Sequence, residues 1–110
     1  MFRSGAFVAD QLTDVDGKQV QPNGVDLTLG AVFEQVDTGR VERDGKTVGD
    51  RRECDTDSGV YRLEPGGYVV RYAERVGIPE DHVGFIYPRS TLLRNSCMLD
   101  TAVWDAGYEG

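Results

Sequence analysis

The chain has 110 residues, 39% of them hydrophobic, so it is one domain at most, large enough to bury roughly two-thirds of its unfolded surface without disulfide or metal staples. Nineteen acidic residues stand against twelve basic ones, and the net charge of -7 argues against nucleic acid or an anionic membrane as a partner. A polyphosphate ligand would therefore have to be held by local positive charge or by a bound cation.

In chain order, Ser4 to Leu12 predicts a short amphipathic helical turn capped by Ser4, with Phe2, Ala6 and Ala9 on one face. Asp14-Val15-Asp16-Gly17-Lys18 has the Asp-Gly chemistry of a hairpin turn. Val25 to Gly30 alternates as a strand does, and Ala31 to Val36 continues the sheet. Residues 37–59 are polar and rich in Asp, Arg and Gly, which predicts a surface hairpin or long loop turning at Arg43-Asp44-Gly45-Lys46. Val60 to Leu63 and Tyr68 to Ala73 are β-rich runs split by Pro65-Gly66-Gly67, and Val83 to Tyr87 is a further short strand. Six or seven short strands with little helix predict an all-β barrel or jelly roll, with no repeat and no interdomain linker. The aromatic series Tyr68, Tyr72, Phe85 and Tyr87 fits its core and edges, and Trp104 fits a core or interface anchor.

Twelve Asp, seven Glu, ten Arg and only two Lys, Lys18 and Lys46, suit a protein that works in high salt. The charge is uneven along the chain. Residues 1–60 carry 7 basic and 12 acidic side chains, residues 61–94 carry 5 and 4, and residues 95–110 carry none and 3. Asp10 and Gln11 interrupt the one N-terminal apolar run, so no signal peptide is expected, and no stretch is long enough to span a membrane. The cytoplasm is the expected location. Cys54 and Cys97 are too far apart for a local metal pair and imply no disulfide. His82, the single histidine, supports no triad, and the Pro-Cys-x-x-Cys element of zinc deaminases is absent.

The stretch Pro88-Arg89-Ser90-Thr91-Leu92-Leu93-Arg94 is the least acidic chemistry-bearing part of the chain. Pro88 fixes the entry, Ser90 or Thr91 can cap a helical turn, and its unpaired N–H groups suit an anion. Arg89 and Arg94 can add forked, charge-assisted hydrogen bonds to phosphate oxygens. A capped surface turn with solvated arginines accounts for the same residues. Further on, Thr101-Ala102-Val103-Trp104-Asp105-Ala106-Gly107-Tyr108 presents one carboxylate after an apolar run and before a Gly. That Asp either aims a water molecule or bonds to its own turn.

These segments resemble the motifs of the dCTP deaminase and dUTPase superfamily. Arg89-Ser90-Thr91-Leu92-Leu93-Arg94 is similar to its R-S-S-L-A-R signature, and Thr101 to Gly110 to its uracil-pocket and catalytic-aspartate motif. Gln21-Pro22-Asn23-Gly24-Val25-Asp26-Leu27-Thr28-Leu29-Gly30 resembles its N-terminal motif, and Leu63 to Tyr68 with Glu74 to Pro79 the stretch before the arginines. The resemblance runs from about Gln21 to Gly110. It implies a distorted, jelly-roll-like β-barrel assembling as a homotrimer with sites at subunit boundaries, and dUTP hydrolysis to dUMP and pyrophosphate with Mg²⁺. Asp105 would orient or activate the water. Arg89, Ser90, Thr91 and Arg94 would grip phosphates, Asp100, Thr101, Ala102 and Val103 would recognise the base edge, Tyr108 would check the sugar, and Asp26 would help hold the metal.

The separation of Arg89 and Asp105, sixteen positions, is most similar to that of the archaeal dUTPase subfamily. The resemblance also admits dCTP deamination, alone or combined with hydrolysis, and a non-catalytic nucleotide-binding member. The family continues past the position of Gly110 with further strands, a catalytic Glu of the deaminases and a C-terminal tail, so the expectation is a single domain lacking those parts. The chain departs from the family at Asn95-Ser96-Cys97, where many members have Leu-Gly-Leu. It departs again at Gly107 and Glu109, which replace the Asp and Arg of eukaryotic-type trimers.

Overall fold

Seven strands and only two five-residue α-helices make the chain all-β, in a computed structural model that describes residues 1–110. The strands form three small antiparallel sheets of two, three and two strands, and no closed barrel is formed. Two units divide the chain, Met1–Asp26 with Glu74–Gly110 and Leu27–Ala73.

In the first unit, helix α1 (Gly5–Ala9) starts where expected. Ser4 is extended at φ -68° and ψ 159°, and its hydroxyl accepts the Phe7 N–H at 3.3 Å. Gly5 is buried and donates to the Pro22 carbonyl at 3.1 Å. A methyl group there would overlap the Gln21 carbonyl, so only glycine lets α1 lie against the hairpin of β1 (Val20–Gln21) and β2 (Gly24–Val25).

The Asp16-Gly17 pair is not a hairpin turn. Asp16 instead caps a 3-10 turn over Gly17–Gln19: its carboxylate accepts the Lys18 N–H at 2.9 Å, and Gln19 Oε1 accepts the Asp16 N–H at 2.8 Å. Asp followed three residues later by Gln satisfies two otherwise orphaned donors reciprocally, and that outweighs the turn preference of Asp-Gly.

Val76, 5% exposed, is the buried hydrophobic residue of this unit. It faces Leu12 across an isolated bridge, and Gly77 faces Glu109 in the same way. The run Val83 to Tyr87 alternates in burial as a strand does, with Val83, Phe85 and Tyr87 exposed, but it pairs at one point only. There Gly84 and Trp104 exchange N–H···O bonds of 2.9 and 3.0 Å. A Cβ on Gly84 would sit 2.9 Å from both the Trp104 ring and Ile78 Cδ1, so the indole fills the space a longer ladder's side chain would need. Helix α2 (Ser90–Arg94) follows, with Arg89 as its extended N-cap and no side-chain cap.

In the second unit, β3 (Leu29–Gln35) lies between β6 (Arg51–Glu53) and β7 (Val69–Tyr72), and Ala31 and Val32, each 1% exposed, are its core. The ladder with β7 shifts at Gly30, where a Cβ would meet the Arg71 carbonyl at 3.0 Å. The polar span 37–59 contains the expected hairpin, β4 (Arg40–Glu42) and β5 (Gly45–Thr47), turning at Arg43-Asp44, and also β6, which periodicity did not reveal. Cross-strand partners Glu34 and Arg52 form an ion pair. Val60 to Leu63 is not a strand. Val60 closes a tight turn on Asp57 through Ser58 (φ 51°) and Gly59 (φ 77°), and no partner strand lies beyond it.

Candidate functional site

The expected strand Val25 to Gly30 is interrupted at Asp26, because the Asp26 peptide is bonded elsewhere. Its N–H donates to the Gln19 carbonyl at 2.8 Å, and its carbonyl accepts from Gln19 Nε2 at 2.8 Å. The interruption turns the carboxylate toward Arg89, whose Nη1 lies 3.2 Å from Asp26 Oδ2; Gln21 Nε2 donates to the same oxygen at 3.1 Å. Two residues singled out separately in the sequence, 63 positions apart, thus meet. The Asp26 side chain is 25% exposed and that of Arg89 68%, so the pair is open to solvent and adds little to stability. Its consequence is orientation: one end of the guanidinium fork is held, and the rest faces water.

Ser90, Thr91 and Arg94 are exposed on α2. Ser90 and Thr91 occupy its first turn and do not cap it. The earliest helical amides to find acceptors are Leu92 and Leu93, both bonding the Arg89 carbonyl, so the N–H groups of Ser90 and Thr91 have no backbone acceptor. At the far end Asn95 Nδ2 donates to the Thr91 carbonyl at 2.8 Å.

The Gly84–Trp104 bridge draws residues 101–104 alongside the strand-like run that leads into Arg89, and Thr101 Oγ1 reaches the Ile86 carbonyl at 3.5 Å. Asp100, Thr101, Ala102 and Val103 are exposed and form no backbone–backbone hydrogen bonds. Asp105 opens a turn in which its carbonyl accepts the Tyr108 N–H at 3.1 Å, while Gly107 donates to Ile78 at 2.9 Å and Ile78 donates to Tyr108 at 2.8 Å. Gly107 has φ 77°, and a Cβ there would come within 2.8 Å of Glu80 Oε1. The turn is closed by backbone alone, so the Asp105 carboxylate is not spent on it and stands exposed. Tyr108 is half-exposed, with its ring stacked on Trp104 at 6.0 Å and 13°. A cleft of about 330 Å³ lies elsewhere, lined by residues 10–13, 75–77, 109 and 110, and none of the residues above borders it except through the chain neighbours of Tyr108.

No group of three or more His, Cys, Asp or Glu side chains is arranged to hold a metal ion. A hard cation such as Mg²⁺, which keeps several waters and takes only one or two protein carboxylates besides substrate phosphates, would need no such group. Asp26 suits such a role: Arg89 and Gln21 occupy Oδ2 and leave Oδ1 without a partner.

Sequence reasoning missed two residues that shape this site, Gln19 and Glu74. Glu74 is 6% exposed, and its Oε1 accepts from Gln19 Nε2 at 2.7 Å across 55 positions. The one local sign was the Asp16-x-x-Gln19 spacing; nothing in the sequence links either residue to Asp26.

An all-β chain with an arginine-led short helix, a free carboxylate on a backbone-closed turn and an Asp–Arg pair between distant motifs defines the class. The chain belongs to the family described as dCTP deaminase-like, whose model matches residues 2–110. It is 56% identical to a protein of Halobacterium salinarum named probable deoxyuridine 5'-triphosphate nucleotidohydrolase, across its whole length and 70% of that protein's. Proteins of the same printed name from Aeropyrum pernix and Methanopyrus kandleri are 48% and 42% identical, over 83% and 92% of this chain and 57% and 67% of their own lengths. No solved structure matches it.

Proposed function

We propose that the chain belongs to a dUTP diphosphatase, which hydrolyses dUTP with water to dUMP and pyrophosphate. The observation that carries this is the Asp26–Arg89 pair, which joins the carboxylate of the first motif to the guanidinium of the arginine motif on an open surface. The relatives' printed name, probable deoxyuridine 5'-triphosphate nucleotidohydrolase, supports the choice of dUTP.

In this reading Asp105 accepts a proton from water as its oxygen attacks the α-phosphorus; the bond to the β-bridging oxygen breaks and pyrophosphate leaves. A positioned base contributes about 10²–10⁴ in rate. Arg89 and Arg94 neutralise and orient phosphate oxygens, assisted by the hydroxyls of Ser90 and Thr91 and their unbonded N–H groups. The free backbone groups of Asp100 to Val103 recognise the uracil edge, and Tyr108, backed by Trp104, meets the deoxyribose. Asp26 would hold Mg²⁺, which when bound would supply charge neutralisation at the triphosphate. Assembly of three copies, with sites between them, is supported by the exposed apolar face of Val83, Phe85 and Tyr87, which a single chain leaves in water. In this reading residues 1–110 act as a single domain, and the cytoplasm is its place of work.

The family description also favours a second reading, dCTP deamination. Incubating the full-length protein with dUTP and with dCTP, in Mg²⁺ and high salt, separates the two: pyrophosphate from dUTP supports the first, ammonia from dCTP the second. Asp105→Asn should lower pyrophosphate release by about 10²–10⁴ while leaving nucleotide binding within a few-fold. Undiminished turnover in that variant overturns the role given to Asp105.

A further inference from the structure

We infer that Gln19 is a positioning residue: clamped by the buried carboxylate of Glu74, it fixes the Asp26 peptide and thereby the direction in which Arg89 is presented.

Gln19 bonds both backbone groups of Asp26, one through its own carbonyl and one through its side-chain amide. The two hydrogens of that amide are both used, toward the Asp26 carbonyl at 2.8 Å and Glu74 Oε1 at 2.7 Å, while its oxygen accepts the Asp16 N–H at 2.8 Å. Only one amide orientation satisfies this arrangement. Reversed, the Gln19 oxygen would face a carboxylate and a carbonyl, and its NH₂ would face an N–H. Glu74 is 6% exposed, so water cannot readily replace the bond it receives from Gln19. The capping box at Asp16 anchors the same Gln19 from the other side. A chain of contacts therefore runs from a buried acid, through one amide, to the peptide of Asp26 and from its carboxylate to the guanidinium of Arg89.

Asp26 and Arg89 are both partly in water, and an exposed ion pair does not hold its own geometry. What fixes the pair is that the Asp26 backbone cannot turn. Neither Gln19 nor Glu74 needs to touch nucleotide; each acts through Asp26, as outer residues that orient a ligating carboxylate do, where loss of such a partner costs about 10–100-fold.

The functional consequence rests on the phosphate-gripping role proposed for Arg89; the geometric one does not, and the test separates them. In the full-length protein, ¹⁵N relaxation of the Arg89 guanidinium should report an ordered side chain. Gln19→Met, close in size but unable to donate, should make it mobile. Glu74→Gln, which keeps an acceptor for Gln19, should leave it ordered, whereas Glu74→Leu, which removes the acceptor, should make it mobile and serves as the second variant should Gln19→Met fold poorly. Binding of a non-hydrolysable dUTP analogue, followed by calorimetry, should weaken about tenfold in Gln19→Met. In an Asp26→Asn background the same substitution should change binding less than twofold, because its route to Arg89 is already cut. A merely structural Gln19 would lower the melting temperature equally in both backgrounds and leave Arg89 order untouched. Unchanged Arg89 order in Gln19→Met overturns the inference whatever the nucleotide does. Loss of order in that variant, with no analogue bound by the unsubstituted protein, upholds the positioning role and overturns the proposed function instead.

Discussion

The two units differ in how they are held. Leu27–Ala73 is built on paired strands around Ala31 and Val32, its ladders supplying most of the order. Met1–Asp26 with Glu74–Gly110 has one two-residue hairpin, three isolated bridges and a single buried hydrophobic residue, Val76. Every residue with a proposed role in binding or catalysis lies in this irregular unit. Regular sheet satisfies backbone groups with backbone groups and leaves nothing over for a ligand. Irregular chain leaves N–H groups, carbonyls and carboxylates free, as at Ser90, Thr91 and Asp105, and has to be fixed by side-chain bridges such as that of Gln19.

That contrast can be broken by substitutions whose effects should sort by unit. The largest is expected at Arg89. Arg89→Ala removes charge-assisted contacts of about 1.5–3 kcal/mol each, so nucleotide affinity should fall by roughly 10–100-fold, with the melting temperature nearly unchanged. A large loss of stability without loss of affinity would show that Arg89 is structural. Val32→Ala should do the reverse: emptying the β3 core should cost about 2 kcal/mol in denaturant unfolding, with kcat preserved in the folded fraction.

A mixed outcome is expected at Gly107, where φ 77° disfavours any side chain by about 1 kcal/mol and Glu80 must move aside. Gly107→Ala should therefore lower both stability and kcat, since the same turn carries Asp105. The smallest effect belongs to Asp81. Its hydrogen bond with His82 Nδ1, at 2.5 Å, holds its carboxyl below the ordinary value of 3.8, so its contribution to stability is present above that value and fades as the pH falls through the depressed one. Asp81→Asn should flatten the acid limb of a melting-temperature profile below about pH 4 and change little at neutral pH, given how exposed the pair's acid is. A profile identical to the unsubstituted protein's would remove Asp81 from the acid response.

The legible parts of the fold were those written in adjacent residues. Ser4 announced its helix, the β3 run its strand, and Arg43-Asp44 its hairpin, because each depends on neighbours a few positions away. Strand β6 was illegible: Arg51-Arg52-Glu53 has no apolar alternation and is a strand because β3 offers it a partner, with Glu34 opposite Arg52. The runs Val60 to Leu63 and Val83 to Tyr87 had the propensity but lacked a partner along their length. Propensity describes what a backbone prefers, and a ladder needs a second chain segment at the right distance. The capping box at Asp16 was present in the residues and was outweighed in the reading by the stronger hairpin association of Asp-Gly.

By itself the sequence determined the all-β class, the family motifs and the chemistry on offer, because those follow from residue type, local spacing and resemblance. Only the tertiary structure decided that Asp26 faces Arg89, that Asp105 keeps its carboxylate free while backbone closes its turn, and that Gln19 and Glu74 stand behind the pair. These are contacts between residues up to 63 positions apart. Their geometry depends on which hydrogen-bonding groups the folded backbone has already satisfied, and no local pattern records that.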